Sequence, residues 1–494
     1  MEQLSQVFEL PSSELKSFSP ITGEVIGTYH NFTAPEVHSI VEKAHQAARV
    51  WAAMSFRARG KILKKWAAHI LRNSDEFAAW VAKETGKPLS DAGLEVQIAA
   101  SHITWAATHA QRYLISQRRA SGILLFNLST RVERVPMGVV GVIGPWNYPV
   151  FIPMGSIAYA LAAGNAVVFK PSEFTPGVGH WLEKTFREVC TMEGLFSVIT
   201  GAPETGKALT ESSINKLSFT GSTRTAKKVA QACAERMIPV LLECGGKDPV
   251  LVAPDANLSK AAEETLWCAM ANAGQSCIGA ERVYVHESVA DSFIAKISEM
   301  ARALVPGRDY GPATMPAQLN VIQKHIDDAA KNGGTFMVGN TDSVKPPFVE
   351  PVILVDVPEE STSVTDETFG PVLIINRVKT MEEAITKANA TRYGLGASVW
   401  SKRHGRAIAS QLQCGMVAIN AVFSFAAIAS APFGGYKDSG SGRIHGPEGL
   451  LEFTYARTVV KKRFNIPIGL TTFNRKPSTD RLIKRLMVLL HGRG

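Results

Sequence analysis

Residues 139–173 read VVGVIGPWNYPVFIPMGSIAYALAAGNAVVFKPSE. Two short β-branched runs, VVGVI and AVVF, bracket a stretch of helical texture, and each run ends in turn or helix-starting residues, GPWN after the first and KPSE after the second. A strand buried on both faces reads as a continuous apolar run, and two parallel strands need a crossover between them. The stretch therefore reads as strand, helix, parallel strand.

The texture continues outward. FSVITG, KLSFTGS and PVLLECGG extend the parallel sheet to about residue 243. A second α/β body follows, with VYVHES, EPVILVDV, GPVLIINR, ASVWSK and MVAINAV as strands and 288–304 and 381–390 as helices. Upstream, 34–118 carries apolar residues at three- and four-residue intervals and reads as helices, one of them stopped by Gly86-Lys87-Pro88. The segments 118–134 and 454–464 flank the two bodies as additions. There is no internal repeat.

The 494 residues are 45% hydrophobic and 20% charged, with 40 Gly and 26 Pro, which excludes collagen-like and wholly disordered chains. Six cysteines without CxxC spacing or a zinc-type His pair point to a reducing compartment and to no metal site. The start, MEQLSQVFELPSSELKS, lacks a signal-peptide pattern and no apolar run of about 18 residues occurs, so a soluble cytoplasmic protein is expected. The net charge is +9, but from Lys461 onward nine Lys/Arg face Asp480 alone, leaving +1 for residues 1–460. A basic tail of this kind does not indicate a nucleic-acid groove across the body.

Several residues could carry chemistry. Cys277, in ANAGQSCIGAERV, follows a Gly-Gln-Ser turn and precedes a strand, a place for an exposed nucleophile; a buried structural thiol is the alternative. A thiolate attacking a carbonyl needs oxyanion donors, and its acyl product needs a base to activate water. Asn147, in GPWNYP, could donate with the Cys277 backbone N–H, or cap a helix. Glu243, in LLECGGK, ends an apolar strand and could be the base, or pair with Lys247 at the surface. FTGSTRTAKKV runs strand, turn, helix, and its Gly221-Ser222 turn could meet a pyrophosphate at the helix start. In FKPSE, Lys170 and Glu173 could reach an adenosine ribose. The strict GxGxxG is absent, with Ala226 where its third glycine would stand.

GPWNYP, GNAVVFKPSE, FTGST, LLECGGK, NAGQSC, DETFGPVL and PFGGYKDSGSGR occur in the order and at the spacings of the aldehyde dehydrogenase superfamily, which the chain resembles over about residues 20 to 460. The resemblance implies NAD(P)-dependent oxidation of an aldehyde to a carboxylic acid on an α/β fold. It also implies a Rossmann-like cofactor domain (1–117 and 138–243), a catalytic domain (244–453) and a small β oligomerisation arm (118–137 and 454–464) building a homodimer or homotetramer. Matched by motif, Cys277 resembles the nucleophile, Glu243 the base and Asn147 the oxyanion donor. Trp146, Lys170, Ser172, Glu173, Gly221, Ser222, Glu367 and Phe369 match cofactor-contacting positions. Glu173 implies NAD rather than NADP, because a carboxylate on the ribose hydroxyls would repel a 2′-phosphate; NADP stays open. One departure is Ile444, where many hydrolytic relatives carry a Glu after the Gly-Arg of PFGGYKDSGSGR.

Tyr148, Ile152 and Gly155 fall on one face of the helix after Asn147 and, with Ala271 before the nucleophile, should line the aldehyde channel. Relatives specific for small aldehydes often carry aromatics at the last two positions, and semialdehyde enzymes often carry Arg. Gly and Ala there predict a wide apolar funnel for medium, long or bulky aldehydes, unless Phe423, Phe425 or Phe433 refills it. A succinate-semialdehyde-type enzyme and a non-catalytic scaffold of the same fold are the alternatives. The tail 465–494 contains DRLIKRLMVLLHGR, an amphipathic helix pattern suited to docking on protein, the preferred reading, or to peripheral contact with a membrane.

Overall fold

The computed structural model describes residues 13–466 and 472–492. They form two units: one of residues up to 113 together with 136–454, the other of 114–135 together with 455 onward.

The larger unit contains two extended sheets. In the first, β1 (Val139–Ile143), β2 (Ala166–Lys170), β3 (Phe196–Val198), β4 (Lys216–Thr220) and β5 (Val240–Glu243) are parallel and stand in the order β5–β4–β1–β2–β3. Its central strands are apolar on both faces, as the continuous runs predict. The strand order reverses between β1 and β4, and in open α/β sheets the crevice at such a reversal, outside the carboxyl ends of the strands, is where ligands bind. A short edge strand, Gly440–Ser441, pairs antiparallel with Glu243 and Leu242, so a segment expected in the catalytic body closes the first sheet.

The second sheet holds β6 (Asp248–Val252), β7 (Ala280–His286), β8 (Thr335–Val338), β9 (Val352–Val355), β10 (Val372–Val378), β11 (Gly396–Trp400) and β12 (Met416–Ile419), in the order β8–β9–β10–β7–β6–β11–β12. Only β8 runs antiparallel to its neighbour. Strands β6 and β8 are additional to those read from sequence.

Four helices bear on the site. Helices α1 (Phe56–Arg72) and α2 (Leu89–Leu114) belong to the Ala-rich region. Helix α3 (Phe151–Ala163), the crossover from β1 to β2, is apolar almost all round and accordingly buried, and Gly164 ends it in the left-handed conformation at φ 107°. Helix α4 (Thr223–Ala234) follows β4, and Ser222 caps it by accepting from the Thr225 N–H.

The smaller unit has a three-stranded sheet, Thr454–Lys462 beside Leu128–Pro136 beside Gln117–Arg119, close to the arm segments read from sequence. Helix α5 (Pro477–His491) follows, with no buried residue. Residues 467–471, 493 and 494 of the expected tail, Arg493 among them, lie outside the described residues.

The loop before Cys277 is built on three consecutive left-handed residues, Asn272 (φ 53°), Ala273 (φ 55°) and Gly274 (φ 68°). A Cβ on Gly274 would stand 2.2 Å from the Gly370 carbonyl carbon, so no side chain fits there. Gly274→Ala is expected to destabilise the chain by about 2 kcal/mol or more, read from the urea midpoint, because it adds left-handed strain to a backbone clash.

Candidate active site

The ends of β1, β2, β4 and β5 carry the residues singled out from the first sheet. GPWN follows β1, Ser172 and Glu173 follow β2, Gly221 and Ser222 follow β4, and Glu243 closes β5. The Gly221 N–H donates to the Glu243 carbonyl at 3.0 Å, tying the turn before α4 to the end of β5.

Asn147 is buried and does not cap α3. Its Nδ2 donates to the Gln275 carbonyl at 2.9 Å, two residues before Cys277. The cap comes instead from a residue that no sequence pattern marks: Glu95 of α2 accepts the N–H groups of Val150 (2.8 Å) and Phe151 (3.1 Å). Lys87 compensates that carboxylate at 2.7 Å, donates to the Asn147 carbonyl at 2.8 Å, and sits 4.2 Å from the centre of the Tyr148 ring. Asn272 Nδ2 also donates to the Asn147 carbonyl, at 3.0 Å.

Cys277 is half-buried, whereas Cys190, Cys233, Cys244 and Cys268 are buried. Burial pushes the Cys277 thiol well above its ordinary range, and the carboxyls of Glu367, Asp248 and Glu243 push it the same way. Its carbonyl oxygen would lie 2.3 Å from a Cβ at Gly246, which explains the second glycine of LLECGGK as a close backbone approach.

Glu243 has both carboxyl oxygens buried without a hydrogen-bond partner among the described groups. Burial raises its pKa well above the carboxylate range, Arg443 opposes that shift and Glu452 adds to it. Lys247 is not its surface partner: Lys247 is itself buried, paired with Glu281 and bonded to Thr368 Oγ1 at 3.0 Å. An unpartnered buried carboxyl near enough to push up the Cys277 thiol is set apart from the structural ion pairs around it.

Glu281 in turn accepts the N–H groups of Thr368 (2.8 Å) and Phe369 (3.0 Å), fixing the loop in which Phe369 adopts a left-handed φ of 51°. Phe369 packs edge-on against Trp146 with centroids 5.5 Å apart. Glu367 accepts from the Gly246 N–H at 2.9 Å and, chiefly through burial, its carboxyl is pushed up to about 8.

These groups fit a nicotinamide dinucleotide. Lys170 is buried, and its one described partner is Glu173 Oε2 at 3.4 Å, so it keeps donors for ribose hydroxyls. Glu173 Oε2 also accepts from Ser172 at 3.3 Å. Trp146, Phe369 and Glu367 would frame the nicotinamide end. Among the described residues no group of His, Cys, Asp and Glu could hold a metal ion.

On the substrate side, Tyr148, Ile152 and Ala271 are half-buried, and Gly155 and Phe433 are buried. Gly155 does not leave open space, a correction to the wide funnel expected there. A Cβ at Gly155 would meet His445 Nε2 at 2.6 Å and Ile444 Cδ1 at 2.9 Å, so those two side chains fill the position. Phe433 is held beside them by two backbone bonds with Ile444, its ring 5.6 Å from that of His445. A ladder of rings takes another path: Tyr148 lies 6.4 Å from Phe423, which lies 5.4 Å from the half-exposed Trp267. Trp267 is not marked in the sequence, because a helical Trp there carries no motif.

The sequence model of the aldehyde dehydrogenase family matches residues 9–459. The chain belongs to the aldehyde dehydrogenase family. It is an oxidoreductase acting on aldehydes, in a family that uses NAD(P). A Mycolicibacterium smegmatis protein named "Putative succinate-semialdehyde dehydrogenase (NADP(+))" is 37% identical over 465 residues, 91% of this chain and 90% of its own. A Methylomonas protein named 4,4'-diapolycopene aldehyde oxidase is 34% identical over 466 residues, 92% of this chain and 87% of its own. The crystal structure of an NAD-dependent aldehyde dehydrogenase from Sinorhizobium meliloti superposes with a TM-score of 0.89 at 31% identity, covering 93% of each chain.

Two outcomes follow for this aldehyde dehydrogenase. Alkylation of Cys277 by iodoacetamide, followed by mass spectrometry, should keep rising with pH beyond about 8.5, where an unperturbed thiol is half ionised. A plateau below that pH would mean the site favours thiolate instead. Lys247→Met should lower stability by about 3 kcal/mol or more in urea, because Glu281 is left buried without its cation.

Proposed function

We propose that this aldehyde dehydrogenase oxidises medium-chain, long-chain or bulky apolar aldehydes to carboxylic acids, with NAD preferred. The observation that carries the substrate class is the ladder Trp267–Phe423–Tyr148, which runs from a half-exposed ring to the residue beside Asn147. Neither Gly155 nor Ala271 offers a cation, and Lys87 over the Tyr148 ring is engaged by Glu95. The relative named as a diapolycopene aldehyde oxidase supports the apolar class. Those named as succinate-semialdehyde dehydrogenases support a second reading, in which the substrate carries a carboxylate and NADP is the cofactor.

In the reaction, Cys277 gives its S–H proton to water, and the thiolate attacks the aldehyde carbonyl carbon as the C=O π pair moves onto oxygen. The oxyanion of the thiohemiacetal is received by the Cys277 N–H and by Asn147 Nδ2, whose second hydrogen is not used by Gln275. Bound NAD supplies a hydride acceptor. Trp146 and Phe369 would hold its ring and exclude water, while Lys170 and Glu173 would hold the adenosine ribose. Glu243, once ionised, takes a proton from the water that cleaves the Cys277 thioester, with the Arg443 charge assisting ionisation. Ile444 leaves it without the second carboxylate of many hydrolytic relatives.

We place the enzyme in the cytoplasm as a homodimer or homotetramer built through the arm sheet. NADH formation at 340 nm with aldehydes from acetaldehyde to decanal, and with succinic semialdehyde, tests the whole reading. Turnover should rise with chain length, vanish in Cys277→Ala and be higher with NAD than with NADP. Trp267→Ala should lower kcat/KM for decanal by about tenfold, equivalent to losing roughly 1.4 kcal/mol of apolar contact, and leave acetaldehyde nearly unchanged. A maximum on succinic semialdehyde would give the second reading.

A further inference from the structure

Helix α5 is 15 residues long and none of its residues is buried. Leu482, Met487, Val488, Leu489 and Leu490 are all among the exposed large hydrophobic side chains, and Leu489 is 69% exposed. At 3.6 residues per turn, Leu482, Ile483, Leu486, Met487, Leu489 and Leu490 share an arc of roughly 160°, and Arg481, Lys484 and Arg485 lie outside it. The sequence leaves docking on protein as the preferred fate of this face. In the structure Ile483 and Leu486 are half-buried and the rest of the arc is bare.

The charge distribution selects the occupant. Residues 461–494 carry +8 of the chain's +9, against Asp480 as their one acid, and Asp480 is already bonded to Arg475 at 2.5 Å. A protein groove would ask only for the apolar arc. A layer of anionic headgroups over acyl chains asks for both the arc and the cations beside it. The helix is about 22 Å long, short of the roughly 30 Å hydrocarbon core, so it would lie along the boundary rather than cross it. No helix among the described residues is long and apolar enough to cross a membrane.

We propose that α5 docks the enzyme onto an anionic lipid surface, with the apolar arc at the headgroup–acyl boundary and Arg481, Lys484 and Arg485 among the headgroups. The benefit to the enzyme rests on the apolar-aldehyde reading, since such substrates partition into bilayers. Vesicle binding itself needs no turnover, so the two readings fail separately.

The test is co-sedimentation of the full chain with phosphatidylcholine vesicles and with vesicles containing about one-third phosphatidylglycerol, at low and high salt. The wild type should bind the anionic vesicles, several-fold less at high salt, and bind phosphatidylcholine weakly. Leu482→Glu with Leu489→Glu should lower that binding by about tenfold or more. Both sites are exposed, so folding and turnover of a water-soluble aldehyde should be unchanged. Absence of wild-type binding, or equal binding by the double variant, overturns the proposal. It is also overturned if light scattering shows the double variant dissociating, because the arc would then be an interface between copies.

Discussion

Behind Cys277 the structure packs backbone against backbone, with no space for a Cβ at Gly274 or at Gly246. The position of the proposed nucleophile is set by these close approaches. Left-handed Asn272 and Ala273 cost about 1 kcal/mol or more each, and such strain persists only where the surroundings over-determine it. Gln275 does much of this: its Nε2 donates to the carbonyls of Asn272 (2.8 Å) and Pro312 (3.1 Å), and its Oε1 accepts from the Thr314 N–H at 2.9 Å. Since Asn147 holds the Gln275 carbonyl, Asn147 and the loop before Cys277 are one hydrogen-bonded body.

The two lips of the site are fixed by one device used twice. Glu95 accepts two consecutive N–H groups at the start of α3, Glu281 accepts two in the 368–369 turn, and each carboxylate has its own buried lysine. The lysine matters. Glu84 likewise accepts two consecutive N–H groups, from Gly177 and Val178, but its third partner is the Ser17 hydroxyl rather than an ammonium, and burial pushes its carboxyl up to about 7. Glu243 goes further, with neither N–H donors nor a lysine, and its proton affinity is correspondingly high. Glu84 and Glu243 are both raised chiefly by burial, and Glu243, to which no donor is bonded, lacks the hydrogen bonds that oppose the shift at Glu84.

Where the sequence was legible, the reason is local. Apolar runs ending in GPWN, KPSE and TGS marked strands and the turns after them, and those turns carry Asn147, Glu173 and Ser222. Strand β6 was overlooked because DPVLV opens with Asp and Pro, both depleted in strands; in the fold the Asp248 carboxylate is occupied by the Gly396 N–H. Glu95 and Glu281 could not be read as positioning groups, since their roles depend on backbone donors far along the chain. Gly155 shows the same limit from the other side. Its helical spacing put it beside Tyr148 and Ile152, but the side chains that occupy its vacancy, Ile444 and His445, come from a distant turn.

The burial of Cys277 also bears on how the enzyme survives between turnovers. Peroxides attack thiolates, and a thiol kept protonated by its surroundings is a poor target for the first step toward sulfenic acid. The burial and neighbouring carboxyls that raise the Cys277 thiol would therefore also slow its oxidation. Cys268 is more deeply buried, its Sγ–H donating to the Ile278 carbonyl at 3.5 Å. On that basis Cys277 would resist oxidation best in the resting pocket and least at the moment of ionisation.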